Sequence, residues 1–294
     1  AVERLMAVEH DILLSPYTSW CVGGVADRLY RVADLDALSQ FLSTVAPEEP
    51  LLWIGKGSNL LVRDGGFRGT VILLSEGADT LKWLPDQALY AEAGVALSRL
   101  SRFAHTEDQH QLDFLAGIPG SVGGALAMNA GAFGGEIWQQ VASVEVMNRQ
   151  GQRKSVGPEA YKIGYRSVEA VDQQEPHWFV AAHFKLGEKR VEESAVLKQQ
   201  LKQRNQSQPM AQYSCGSVFR NPQGDHAGRL IEAAGLKGEC IGAACVSEQH
   251  ANFIVHSGGA SAGEIEALIL HVQHQVEAQS GVRLQTEVKI VGEA

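Results

Sequence analysis

Apolar positions along the chain fall in short runs divided by glycine-bearing and charged turns. Leu29–Val32, Leu51–Ile54, Thr70–Leu74 and Ala88–Ala93 read as strands. Between the first two, Asp34 stands as an N-cap ahead of a helical pattern that runs to Leu42. Leu97, Leu100 and Ala104 recur at helical spacing and predict a helix over 95–105. Val144–Asn148 and Trp178–Leu186 predict two more strands, the second with clear alternation. A charged helix is predicted over Glu188–Asn205, with Val191, Val196, Leu197 and Leu201 apolar. Ser261 and Glu264 form a capping-box pattern. Ile265, Leu268, Ile269, Val272 and Val276 then share one face, and Gly281 stops the helix. A last strand is predicted over Arg283–Val291, with Leu284, Thr286, Val288 and Ile290 on one side and Gln285, Glu287 and Lys289 on the other.

Two segments break this pattern. Residues 112–138 hold seven glycines between Gly117 and Gly135 and almost no charge. The rest of that segment is apolar, so it is no solvated linker. Backbone without Cβ atoms can bring N–H groups close to a ligand, and phosphates are the usual ligands of such cradles. The second segment, Gly55-Lys56-Gly57-Ser58-Asn59, leaves the strand Leu51–Ile54 directly. Leu60 stands where a dinucleotide fingerprint needs its third glycine, and Arg63-Asp64-Gly65-Gly66 reads as a turn rather than a helix. No Gly-Lys-Ser/Thr closes a Walker loop. A lone Gly-x-Gly is more often a tight turn. Two such loops, each beside an apolar strand, favour a dinucleotide pyrophosphate.

Composition excludes several classes. Of 294 residues, 45% are hydrophobic and 20% charged, which suits a folded chain of about two domains. The formal net charge of −9 argues against a nucleic-acid or anionic-membrane partner. No apolar run approaches the ~18 residues of a spanning helix, and the N-terminal residues do not resemble a signal peptide. A cytoplasmic location is expected, with no obligate protein partner. Cys21, Cys215, Cys240 and Cys245 contain no Cys-x-x-Cys and are expected as free buried thiols. The histidines look scattered, His271 and His274 share one helix face and read as surface residues, and no metal site is expected.

The stretches Ile54–Val62 and Gly117-Ile118-Pro119-Gly120-Ser121-Val122-Gly123-Gly124-Ala125 resemble the FAD cradle of the UDP-N-acetylenolpyruvoylglucosamine reductase family. The resemblance covers almost the whole chain. It includes Thr18-Ser19-Trp20, Gly164-Tyr165-Arg166-Ser167, Gly216–Pro222, Ala234–Gly238, His250–Phe253 and Glu287-Val288. It implies an α+β fold: a two-subdomain FAD-binding fold of the vanillyl-alcohol-oxidase/p-cresol-methylhydroxylase type, followed by a C-terminal α/β substrate-binding domain. The FAD domain is expected over 1–188, with subdomains of about 1–75 and 76–188, and the substrate domain over 189–294. Whether the last strand packs back toward the flavin stays open.

The resemblance further implies noncovalent FAD, NADPH as reductant and UDP-N-acetylglucosamine enolpyruvate as substrate, reduced to UDP-N-acetylmuramate for peptidoglycan. Ser217 matches the family's proton donor, Arg166 the arginine facing the substrate carboxylate, and Glu287 the family's glutamate. Taken alone, these three read as a loop hydroxyl, a turn arginine and a charge on a strand's polar face. Flavin contacts are implied for Gly55, Lys56, Gly57, Ser58, Asn59, Leu60, Gly117, Ile118, Pro119, Gly120, Ser121, Gly123, Gly124 and Asn129. Substrate contacts are implied for Tyr165, Asn221 and Lys237.

Two departures stand out. Cys21 and Val25 replace an arginine and a proline common in the family. Leu186 leads through one helix almost directly to Ser217, so the chain resembles the shorter form without a tyrosine-lid insertion. Rival readings are another FAD oxidoreductase of the same fold, or a non-catalytic binder of nucleotide sugar or flavin. Residues 51–77 and 112–138 offer neither histidine nor cysteine for covalent attachment.

Overall fold

Asp34 caps its helix as its position predicts: in the computed structural model of the chain its side chain accepts from the Ala37 N–H at 2.7 Å, opening α1 (Leu35–Thr44). The structure describes residues 8–172, 175–187, 199, 202, 208–209 and 211–294. Apart from residues 199 and 202, the helix expected over 188–205 lies outside the described residues. The chain divides into two compact units. One comprises Ala1–Glu9, Arg28–Lys56 and Gly69–Gln203, the other His10–Asp27, Gly57–Arg68 and Arg204–Ala294.

The first unit holds two apolar cores. Leu35, Leu38, Phe41 and Leu42 of α1 bury against Tyr30, Ile72, Leu74 and Val180, beside the parallel pair Leu51–Ile54 and Thr70–Leu73. The second core lines a five-stranded sheet of order Arg153–Val156, Val141–Asn148, His177–Phe184, Leu89–Glu92, Leu81–Trp83. Against it pack α2 (Leu97–His105) and α3 (Val122–Met128). The sequence pattern shows no α3, because two glycines sit in its first turn and Ser121 makes no side-chain cap.

In the second unit, α4 (Ala227–Ala233) and α5 (Ala262–Ser280) pack with a small antiparallel sheet, Cys240–Ile241, Ala244–Val246 and Ile254–Val255. The capping box at Ser261 forms, and Gly281 ends α5 with φ +72°. Trp20, Val22 and Leu61 are buried in this core with Val218, Phe219 and Val288. That is why residues 10–27 and 57–68 group with the C-terminal segment rather than following a single cut at 188. The strand expected over 283–291 is regular only at Lys289–Val291, where Leu60–Val62 gives it a parallel partner.

The cysteine expectation needs correction. Cys240 and Cys245 oppose one another across the antiparallel pair, with Cα atoms 4.1 Å apart, and form a disulfide. Cys21 and Cys215 are free thiols. Among the described residues no helix is long and apolar enough to cross a membrane.

Candidate active site

The first unit brings the two glycine loops together. A Cβ on Gly55 would lie 2.1 Å from the Ser121 hydroxyl, so only a glycine lets the loops approach this closely. That hydroxyl is buried and makes no hydrogen bond among the described residues. An orphaned donor beside a backbone cradle suits a bound polar group such as a pyrophosphate, and the residues present fit a flavin dinucleotide. The Gly117–Gly124 loop is stitched to its neighbours through Val122 N–H to Val95 O and Gly123 N–H to Ala93 O, both at 2.9 Å. Ile118, Pro119, Gly120 and Gly124 remain at least partly exposed.

Arg166 occupies the tip of the hairpin Tyr161–Gly164/Ser167–Ala170, with φ +52°. A side chain in the left-handed region is strained and persists only where its surroundings hold it. Here its guanidinium donates to the carbonyls of Asn129, at 3.2 Å, and Gly131, at 2.7 Å. Asn129 is itself left-handed and fully buried, as the C-cap of α3. Its amide donates to Glu136 Oε2 at 2.9 Å and to the Gly164 carbonyl at 3.0 Å. Both of its N–H bonds are thereby committed within the protein, so the structure gives Asn129 the task of holding the arginine hairpin. Tyr165 is exposed, and the Arg166 guanidinium lies 5.2 Å from its ring centre.

The second unit gathers the rest. Gly57 has φ +60°, and a Cβ there would meet the Tyr17 carbonyl at 1.9 Å. Asn59 donates to the Glu287 carbonyl at 3.0 Å, and the Lys289 N–H returns a bond to the Asn59 carbonyl at 3.1 Å. The Glu287 N–H donates to the Val218 carbonyl at 2.7 Å, and Thr286 bridges Phe219. Ser217 therefore sits one residue from the backbone partner of Glu287, and Glu287 sits against the end of the first glycine loop. The Ser217 hydroxyl is half-buried and makes no hydrogen bond among the described residues.

Cys215, two residues away, donates weakly to the Leu60 carbonyl at 3.5 Å. Burial pushes its thiol up to about 12, which keeps it neutral and inert. Asn221 and Lys237 stand further along the same unit. The Asn221 carbonyl oxygen accepts from the Ala227 N–H, and Lys237 pairs with Glu232 at 2.8 Å.

Three arrangements escape sequence reasoning. Buried Asn252 pairs both backbone groups of Phe219, at 3.0 and 2.8 Å, and fixes the irregular segment that carries Ser217. His271, read as a surface residue, meets Glu239 at 2.7 Å. His105, His110 and Asp113, read as scattered, converge within the first unit. The only signal for the last was the His-x4-His-x2-Asp spacing around the end of α2.

Residues 26–157 match the family model for the FAD binding domain. Residues 208–291 match that for UDP-N-acetylenolpyruvoylglucosamine reductase, C-terminal domain. Fold and cradle together define a flavoprotein oxidoreductase: an α+β FAD-binding fold, with FAD as its cofactor, followed by a dedicated C-terminal domain. The chain is 53% identical to the UDP-N-acetylenolpyruvoylglucosamine reductase of Alkalilimnicola ehrlichii, over 96% of its own length and 93% of that relative. Against the enzyme of Methylococcus capsulatus the identity is 50%, over 98% and 93%. The crystal structure of UDP-N-acetylenolpyruvylglucosamine reductase from Thermus caldophilus matches with a TM-score of 0.82 at 34% identity, covering 97% of this chain and 99% of that one. The chain belongs to the UDP-N-acetylenolpyruvoylglucosamine reductase family.

Proposed function

We propose that the protein reduces the enolpyruvyl group of UDP-N-acetylglucosamine enolpyruvate with NADPH, giving UDP-N-acetylmuramate for peptidoglycan. The observation that carries this reading, beside the family, is the pinning of Gly57–Leu60, Ser217 and Glu287 to one another in one unit. The backbones of the first glycine loop, of the Ser217–Val218 segment and of Glu287 are thereby tied to one another.

Bound FAD supplies hydride transfer, from NADPH to the enolpyruvyl double bond. Hydride and proton add across that bond, so the substrate gains the two electrons that NADPH loses. The protein's own residues manage charge and proton. Negative charge gathers on the carbon beside the carboxylate, and Ser217 Oγ carries the proton destined for it. Arg166, a fixed cation, pairs with the substrate carboxylate and favours the developing enolate. Glu287 assists protonation. Tyr165, Asn221 and Lys237 contact the pyruvyl and diphosphate parts, where Lys237 exchanges Glu232 for phosphate. The FAD is held noncovalently.

Ser217→Ala tests the assignment, because the NADPH half-reaction needs no proton on carbon. Anaerobic stopped-flow absorbance should show that half-reaction nearly unchanged. The half-reaction with the enolpyruvyl nucleotide should slow by about 10²–10⁴-fold. Equal slowing of both would end the proton-donor assignment. Absence of NADPH turnover with that nucleotide in the unsubstituted protein would end the functional reading itself.

A further inference from the structure

α2 ends on His105, the 3₁₀ turn Asp113–Gly117 starts on Asp113, and His110 lies between them. Asp113 is only 8% exposed and turns each carboxylate oxygen toward an imidazole. Its Oδ1 is 3.2 Å from His105 Nδ1, and its Oδ2 is 3.0 Å from His110 Nδ1. The two rings stand edge to face, with centres 4.6 Å apart. One ligand atom from each residue lies within 4.8 Å of the other two.

We propose that His105, His110 and Asp113 form a binding site for a divalent transition-metal ion of the Zn²⁺ class. The donor set is two imidazole nitrogens and one carboxylate, which selects Zn²⁺ and its neighbours over Mg²⁺ or Ca²⁺. A tetrahedral Zn²⁺ with bonds of about 2.0–2.1 Å places neighbouring ligand atoms roughly 3.3 Å apart. The two carboxylate–imidazole separations, 3.2 and 3.0 Å, match this, and the ligand atoms of the two imidazoles lie within 4.8 Å of each other. In the metal-free state each Nδ1–H donates to the carboxylate. On binding, each Nδ1 proton moves to Nε2 and the ion takes the place of both protons at the carboxylate. His105 is 40% exposed at its side chain, which gives the ion a route of entry. The fourth position falls to water.

Such an ion would tie the last turn of α2 to the turn that leads into Gly117, the first residue of the second glycine loop. It takes no part in the proposed hydride chemistry, and the inference stands independently of it.

The test uses tag-free, FAD-loaded protein treated with chelator and then titrated calorimetrically with zinc sulfate. A single equivalent should bind, and magnesium chloride over the same range should give none. The equivalent should be lost in His110→Ala and in Asp113→Asn, weakened in His105→Ala, and retained in Cys21→Ser. Far-UV circular dichroism and flavin absorbance check that each variant is folded. Should the buried Asp113→Asn variant fail that check, the His105→Ala and His110→Ala variants decide, His105 being the more exposed of the two at 40% against 11%. No bound equivalent, or one that persists in both histidine variants, would show that Asp113 merely accepts two hydrogen bonds, and would overturn the site.

Discussion

Arg166 shows what a single residue's conformation can encode. Its backbone is left-handed, and two carbonyls hold its guanidinium in place. The motif Gly-Tyr-Arg-Ser was legible in the sequence, but the strain was not, because φ depends on contacts 35 and 37 residues away. Asn129 is similar. Its two side-chain N–H groups bond to partners 7 and 35 residues away, which no local pattern names. The cysteines carry a direct prediction at this scale. Under native conditions iodoacetamide should label exposed Cys21 and leave Cys215 untouched, since only a thiolate reacts and burial suppresses it. Cys240 and Cys245 should react only after reduction. Peptide mass spectrometry reads all four, and comparable labelling of Cys215 and Cys21 would contradict the burial argument. Gly57→Ala should give protein with depleted flavin, measured as the ratio of visible to protein absorbance. A Cβ there must displace the Tyr17 carbonyl.

Elements were legible where local chemistry fixes them. Asp34, Ser261 and Gly281 mark the ends of α1 and α5, and each behaves as its side chain or its freedom in φ dictates. The 217–220 and 285–288 segments were harder. They pair through a few long-range bonds, and the alternation over 283–291 gives a regular strand only at Lys289–Val291. Asn252 supplies what a longer ladder would have supplied. Asn252→Ala leaves the Phe219 N–H and carbonyl buried without partners, at a cost of about 1–3 kcal/mol for each group that finds no water. Urea unfolding should report that loss, and a change below a few tenths of a kcal/mol would mean the clamp is dispensable.

The pair Arg63–Glu266, with two bonds of 2.8 Å, ties the 63–66 turn to α5. Arg63's hydrogen bond holds the Glu266 carboxyl below its usual value of 4.5. A carboxyl depressed in the folded state stabilises the protein fully above its unfolded value. It loses that contribution as pH falls through the folded one. Glu266→Gln should therefore lower the melting temperature near pH 7 and narrow its gap to the parent protein below about pH 4.5. A gap that stays constant with pH would assign the effect to packing.

For the whole molecule, the division into units was the least visible feature. Segments 10–27 and 57–68 join the C-terminal core because of Trp20, Val22 and Leu61, and no local pattern reveals which distant residues will cover those side chains. The cradle itself was visible because glycine is demanded wherever backbone passes close to backbone, as at Gly57. Noncovalent FAD gives the prediction for this scale. Acid precipitation should leave the yellow colour in the supernatant, and added FAD should raise the melting temperature with concentration as mass action requires. Colour that stays with the pellet would contradict it.

The bond from Asn59 to Glu287 spans 228 residues, and the strand Lys289–Val291 lies against Leu60–Val62. On a ribosome adding about 5–20 residues per second, the first glycine loop waits roughly 10–45 seconds for its partner. Until then Leu60–Val62 is an unpaired strand edge, of the kind that invites association with other nascent chains. The shape of the first glycine loop thus waits on the synthesis of residues 287–291. A polypeptide stalled just before Glu287 should leave the tunnel without the ability to retain flavin, even though both glycine loops have long been made.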